Sequence, residues 1–224
     1  MFKKKKYTVI RQAISKDLAS FVANYFTMQK QVYDTCRNAR YISPFENIIG
    51  QYEEPDGQIP NTYSQYSNIA METLMLNCQP IMEKTTGLKL YPSYTYARIY
   101  KKGDELKRHK DRFSCEISTT MNLGGDDWPI YLEPSGRESM KGIKVDLKPG
   151  DMLVYSGCEL EHWREKFKGK DCVQVFLHYN NRKTPGSKDN MFDKRPHLGL
   201  PSWFKRCYKP YNGGCTPPYL QPPL

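Results

Sequence analysis

Arg-Ile-Tyr-Lys-Lys-Gly-Asp-Glu-Leu-Lys-Arg-His-Lys-Asp-Arg, residues 98–112, is the stretch that decides the fold. It begins inside an alternating run, with Tyr94, Tyr96, Arg98 and Tyr100 on one side and Thr95, Ala97, Ile99 and Lys101 on the other. That is the period of a β-strand. Gly103-Asp104 then turns the chain, and His109 and Asp111 follow at i and i+2. On a strand this spacing sends both side chains to one face and Lys110 to the other, so the pair can grip one metal ion. His-x-Asp alone is a weak motif, and its surroundings carry the weight.

Downstream, β candidates run over Cys115–Leu123, Trp128–Leu132, Ile143–Leu147, Met152–Tyr155 and Val173–Tyr179, separated by Gly, Asp and Pro turns such as Lys-Pro-Gly-Asp at 148–151. Short strands punctuated this way build a sandwich or barrel. Two further histidines, His162 and His178, lie in this half, and either could supply a third ligand. Two imidazoles and one carboxylate on one face of an ion leave three adjacent positions open, the arrangement of non-haem Fe(II) oxygenases.

Residues 91–180, with these motifs, resemble the 2-oxoglutarate- and Fe(II)-dependent dioxygenases, and most closely their prolyl 4-hydroxylase-like branch. The resemblance implies a double-stranded β-helix, or jelly roll, buttressed by N-terminal helices: a mainly β protein with flanking helices (α+β). It implies Fe(II) held by His109, Asp111 and His162, with 2-oxoglutarate and O2 converted to succinate and CO2 as a substrate C–H bond is hydroxylated; ascorbate is a further cofactor that it allows. His162 is preferred over His178 because it leaves Lys170 and a strand behind it. Relatives place a Lys or Arg some eight to ten residues past the distal histidine to hold the 5-carboxylate of 2-oxoglutarate, and Lys170 stands eight past His162, with Lys166, Lys168 and Arg164 as nearer rivals. Tyr100 matches a tyrosine that bonds the same carboxylate. Asn122, with Ser118 and Thr120 on its strand face, forms a polar row suited to lining that pocket.

For the substrate, the resemblance points to a peptidyl proline, and a groove near Tyr63, Tyr66, Tyr94 and Tyr96 suits an extended Pro-rich peptide. The arginine that relatives use to read a peptide backbone would fall near Cys115, where none stands. Free amino acids, other small molecules and a nucleobase stay open. A non-catalytic jelly-roll module would not need all of His109, Asp111, His162 and Lys170, and a metal enzyme working without 2-oxoglutarate would not need Lys170 or Tyr100.

With 224 residues, the chain has room for one substantial core. Residues 1–87 read as a strand and helical support, 88–181 as the β core, and 182–224 as a tail holding eight of the sixteen prolines. Tyr7–Ile10 is a short β-like run, and Ser15 caps a helix containing Leu18, Phe21, Val22, Tyr25 and Phe26. Residues 43–60 are turn-rich. Residues 66–86 read as two helices broken near Pro80, or one running through it, ending at Gly87. Trp203, Phe204, Tyr208, Tyr211 and Tyr219 make the tail too aromatic for a linker, so it should wrap the domain, with a polyproline ligand for a partner or a segment swapped between protomers as the alternatives.

The net charge of +10 is concentrated at the ends: residues 1–16 and 182–224 together carry +12, and the middle carries −2. That distribution argues against nucleic acid as the partner of the catalytic segment. Seven cysteines without a Cys-x-x-Cys pair fit a reducing, cytoplasmic setting, and no run is long and apolar enough for a membrane span or an export signal.

Overall fold

In the computed structural model, residues 2–43, 45–52, 58–135, 137 and 141–204 are described. The chain opens with a single helical turn, α1 (Phe2–Lys5), followed by β1 (Tyr7–Ile10). Ser15 caps α2 (Lys16–Asn38) by accepting from Leu18 N–H at 3.1 Å. After β2 (Ser64–Tyr66) comes α3 (Ile69–Thr86), capped by Asn68 and closed by Gly87 at φ 69°. α3 runs straight through Pro80. The missing N–H orphans the carbonyl of Leu76, a residue that is half exposed, where water can replace the bond.

The β core follows as β3 (Leu90–Lys101), β4 (Leu106–His109), β5 (Ile117–Gly125), β6 (Ile130–Glu133), β7 (Ile143–Val145), β8 (Met152–Ser156), β9 (Glu161–Arg164) and β10 (Asp171–Asn181). They form two antiparallel sheets, one ordered β1-β8-β5-β10-β3-β2 and the other β4-β9-β6-β7. This is the jelly-roll arrangement, with β1 and β2 extending the larger sheet at its edges. β2, β4 and β9 are strands of only three or four residues, too short for alternation to reveal in a sequence.

The larger sheet divides its side chains by the two-residue period. One face presents Met121, Leu123, Val173, Val175, Leu177 and Tyr179, which join Ala19, Val22 and Phe26 of α2 and Met71, Met75 and Met82 of α3 in one buried cluster. Each such side chain contributes roughly 1.5–3 kcal/mol when fully buried. Where β5 passes under α2, a Cβ at Gly124 would lie 3.5 Å from that of Ala23, an ordinary contact. The other face presents Tyr94, Tyr96, Arg98 and Tyr100 from β3, Gln174, Phe176 and His178 from β10, and Ser118, Thr120 and Asn122 from β5. This is the inside of the barrel.

The tail through residue 204 packs on the domain in turns, including a 3-10 segment at Met191–Lys194. Its anchor is Arg195, fully buried, whose Nη2 lies 2.8 Å from the equally buried Glu72. Arg195 also donates to Ser93 O, Leu200 O and Ser67 Oγ. Tyr208, Tyr211 and Tyr219 fall outside the described residues, as does part of the 43–60 loop. No described cysteine is paired, and no described helix is long and apolar enough to cross a membrane.

Candidate metal centre and the cavity behind it

His109 closes β4 and faces His162 of β9 as its cross-strand partner, bringing the two rings to 4.3 Å between centroids. Each ring is held from behind. His109 Nδ1 lies 2.8 Å from Lys107 O and His162 Nδ1 lies 3.1 Å from Leu160 O. A carbonyl only accepts, so both Nδ1 atoms carry the proton and both Nε2 atoms present a lone pair. Those lone pairs converge on Asp111 Oδ1, which is 3.7 Å from His109 Nε2 and 3.5 Å from His162 Nε2. Ligands bound at about 2.1 Å and at right angles, as on one face of an octahedron, stand about 3.0 Å apart, so these atoms need to close by only about half an ångström to share one ion. The three residues therefore form a set that could hold one metal ion.

Asp111 lies two residues past the end of β4 rather than within the strand. Its position comes from elsewhere: its own N–H donates to Gly157 O at 2.9 Å, and Ser118 Oγ lies 3.0 Å from Oδ2. Gly157 is part of this cradle. A Cβ there would come within 2.3 Å of Asp111 Oδ2. Burial pushes the Asp111 carboxyl up, but His162, His178 and His109 outweigh it and hold the acid well below its usual range.

His178, the rival ligand, stands behind the carboxylate. Its Nδ1 lies 2.9 Å from Ser118 Oγ, and its ring packs against that of Tyr94, 4.5 Å between centroids and tilted by 34°. Burial pushes its pKa down to about 4, a nearby Asp111 only partly offsetting this, so it is neutral near pH 7. With Asp111 and Cys115 it forms a second group at ligand spacing, but one that shares its carboxylate with the first. His197 is exposed on the tail, away from both.

A cavity of about 600 Å³ opens from this centre. Leu106, Ile130, Tyr155 and Phe176 line it together with Tyr100 and Arg98, while Tyr66, Tyr94, Tyr96, Gln51 and Gln58 are among the residues lining it too. Tyr100 is buried against Trp128 at 4.7 Å. Arg98 is 3% exposed, its guanidinium 5.1 Å from the Tyr96 ring and 5.4 Å from that of Tyr100. Arg164, two residues past His162, is sealed in the barrel next to this cavity. It donates to Thr120 Oγ1 at 3.0 Å and to Trp128 O, and its Nε has no partner. Among the described residues no carboxylate pairs with Arg164, and burial pushes down the pKa of both arginines. Such a buried, uncompensated cation favours an anionic ligand nearby.

Of the residues that the sequence suggested, Lys170 is exposed in the β9–β10 turn, with its backbone N–H donating to Asp126; it does not line the cavity. Lys166 and Lys168 are exposed as well. Asn122 is buried but turned aside, donating to Leu147 O at 2.7 Å. Tyr63 is part of an aromatic cluster with Phe26, Tyr33 and Tyr52 rather than of the groove. Arg98 and Gly157 were not singled out by sequence reasoning. The signal for Arg98 was an arginine in the middle of an inward tyrosine row, and nothing in the sequence marks Gly157.

No family model and no curated sequence matches the chain. Solved structures do. A prolyl-4-hydroxylase from Pseudomonas putida superposes with a TM-score of 0.55 at 14% identity, covering 81% of this chain and 95% of that one. The 2-oxoglutarate-dependent epimerase SnoN of nogalamycin biosynthesis gives 0.59 at 11% identity, over 80% and 79%. HygX from Streptomyces hygroscopicus, solved with nickel and 2-oxoglutarate bound, gives 0.52 at 12%, over 81% and 85%. The chain has the fold of the 2-oxoglutarate- and iron(II)-dependent oxygenases. Its likeness to the prolyl hydroxylase and to the epimerase is one of fold.

Proposed function

We propose that this protein is an Fe(II)- and 2-oxoglutarate-dependent oxygenase that hydroxylates a prolyl residue in a peptide. The observation that carries the class is the convergence of His109 Nε2, His162 Nε2 and Asp111 Oδ1 at the head of a cavity flanked by buried arginines. The donor set fits iron: two imidazoles fixed through backbone carbonyls, and a carboxylate with one oxygen turned to a hydroxyl. Iron and 2-oxoglutarate bound there would supply the oxidation, using O2 to hydroxylate a C–H bond with release of succinate and CO2.

The chain's own residues bind, orient and exclude water. Ser118 holds Oδ2 of Asp111 and so directs Oδ1 to the metal. Leu106, Ile130 and Phe176 give the cavity dry walls. We assign the distal carboxylate of 2-oxoglutarate to Arg98 and the Tyr100 hydroxyl, with Arg164 adding charge from behind Thr120. Lys170, the sequence-based candidate, has its side chain in solvent. An arginine fork suits a carboxylate, and its strength grows in a dry site.

The peptide reading rests on the mouth. Tyr66 stacks on Tyr94 at 4.8 Å and 21°, and Tyr96, Gln51 and Gln58 also line the cavity. Aromatic faces beside amide side chains suit an extended Pro-rich segment. A small-molecule substrate is favoured by a different observation: Arg112, the cation nearest to the position where relatives read a peptide backbone, is already committed to Asp193 at 2.8 Å and 3.0 Å.

The test is succinate formation by anaerobically iron-loaded protein on admission of air, with Asp111→Ala beside it, and calorimetric titration of 2-oxoglutarate into each. Wild type should turn over 2-oxoglutarate and bind it, while Asp111→Ala should bind neither metal nor 2-oxoglutarate yet keep its circular dichroism. Metal affinity that survives Asp111→Ala would sink the centre. Mass spectrometry of prolyl peptides against free amino acids, read as gain of one oxygen, then separates the two substrate classes.

A further inference from the structure

Helix α2 has two apolar sides, and the sheet uses one. Ala19, Val22, Ala23, Phe26 and Tyr33 are buried against the domain. Leu18, Phe21, Tyr25, Met28 and Val32 form a second stripe in solvent, with Phe21 69%, Met28 64% and Val32 52% exposed. Their spacing of three, four, three and four residues is that of the a and d positions of a helix seam. The exposed residues between them are Ser20, Asn24, Thr27 and Gln31, and no charge stands between Asp17 and Lys30. A helix face meant for water has charges; this one has none over three turns.

We propose that the occupant of this stripe is a second copy of the chain, with the two α2 helices packed antiparallel about a two-fold axis near Tyr25. The stripe is nearly symmetric about that residue, so Leu18 meets Val32 of the second copy and Phe21 meets Met28, filling the seam from both sides. Charge selects the direction. Antiparallel packing opposes the two helix dipoles and sets Lys16 at one helix start near Asp34 of the other copy, a carboxylate that Lys30 and Tyr52 of its own chain already hold; parallel packing sets Lys16 on Lys16. Area also agrees. The five side chains expose about 400–500 Å² per copy, the size of the largest apolar patch on a typical monomer, which is often functional; two copies plus the flanking amides reach about 1,000 Å², the lower bound of a specific interface. None of the five lines the cavity, so the pairing is independent of the catalytic reading.

Sedimentation equilibrium of the full chain over about 1 to 100 µM, the range of a modest interface, should give about twice 26.2 kDa. Phe21→Glu with Met28→Glu should return the mass to that of one chain, with unchanged circular dichroism and metal binding. For direction, Leu18→Cys combined with Val32→Cys should form a covalent dimer on mild oxidation while each single variant does not. Wild type with the mass of one chain throughout overturns the proposal, as does a dimer indifferent to the Glu pair. Cross-linking by Leu18→Cys alone overturns the antiparallel arrangement.

Discussion

Replacing Gly157 with alanine adds one methyl group at a position whose backbone cannot retreat. Its N–H donates to Glu116 O at 3.0 Å and its carbonyl accepts from Asp111 N–H at 2.9 Å, so the strand end is tied on both sides. The new Cβ would stand 2.3 Å from Asp111 Oδ2, 2.4 Å from Cys115 O and 2.8 Å from Ser118 Oγ. The first contact is roughly 1 Å inside the normal carbon–heavy-atom separation. The softest element is the Asp111 side chain, which must rotate away from Ser118 and take Oδ1 off the histidine pair. Overpacking of this kind costs about 1–3 kcal/mol of stability, and loss of a group that orients a ligand lowers metal affinity about 10–100-fold. The assay is calorimetric titration of Ni(II) or Mn(II), with urea unfolding alongside. Gly124→Ala is the control, because its Cβ meets only the Ala23 Cβ at 3.5 Å. Metal affinity in Gly157→Ala equal to that of wild type would refute the claim that this glycine makes room for the carboxylate.

Arg98→Ala should weaken 2-oxoglutarate binding to the metal-loaded protein about 100-fold, the loss of a charged hydrogen-bond partner worth about 2–3 kcal/mol, and Lys170→Ala should leave it unchanged; the opposite ranking by calorimetry would return the role to Lys170. Arg195→Met leaves Glu72 buried and unpaired and should cost about 3–5 kcal/mol in urea unfolding, part of it recovered by adding Glu72→Gln; a loss under about 1 kcal/mol would mean that the ion pair does not anchor the tail. In the metal-free protein, His178 has a folded pKa of about 4 against an ordinary 6.5, so the unfolded chain takes up the proton first. Its contribution is complete above pH 6.5 and is lost as pH falls towards 4, up to about 3 kcal/mol. His178→Asn should flatten that part of the stability–pH curve, and parallel curves for the two proteins would count against a neutral buried imidazole.

Much of the barrel was legible because alternation and turns are local. The run from Tyr94 to Lys101 and the strands near residues 117–123, 152–155 and 173–179 each carry their own period and punctuation, and His109 with Asp111 sits where a turn-and-strand frame points it. β9 was not legible as a strand, because four residues hold too little pattern. Counting residues past His162 to Lys170 presumes that the next strand has begun, whereas here the turn extends to residue 170 and β10 starts at Asp171. Cations then reach the barrel from β3 and β9 instead. Gly157 acts only through residues distant in sequence, and no local signal encodes that.

Asp193 ties the tail to the rim of the cavity. It binds Arg112, Ser114 Oγ at 2.6 Å and Tyr66 OH at 2.7 Å, joining segments 79 to 127 residues apart, and Pro201 and Ser202 also line the cavity. The metal end of the cavity is therefore drawn from β-strands that pair as the barrel forms, while its entrance is completed by the part of the chain that is synthesised later. Changes to the tail can reshape the entrance without touching His109, Asp111 and His162, so the two ends of the cavity are separately mutable.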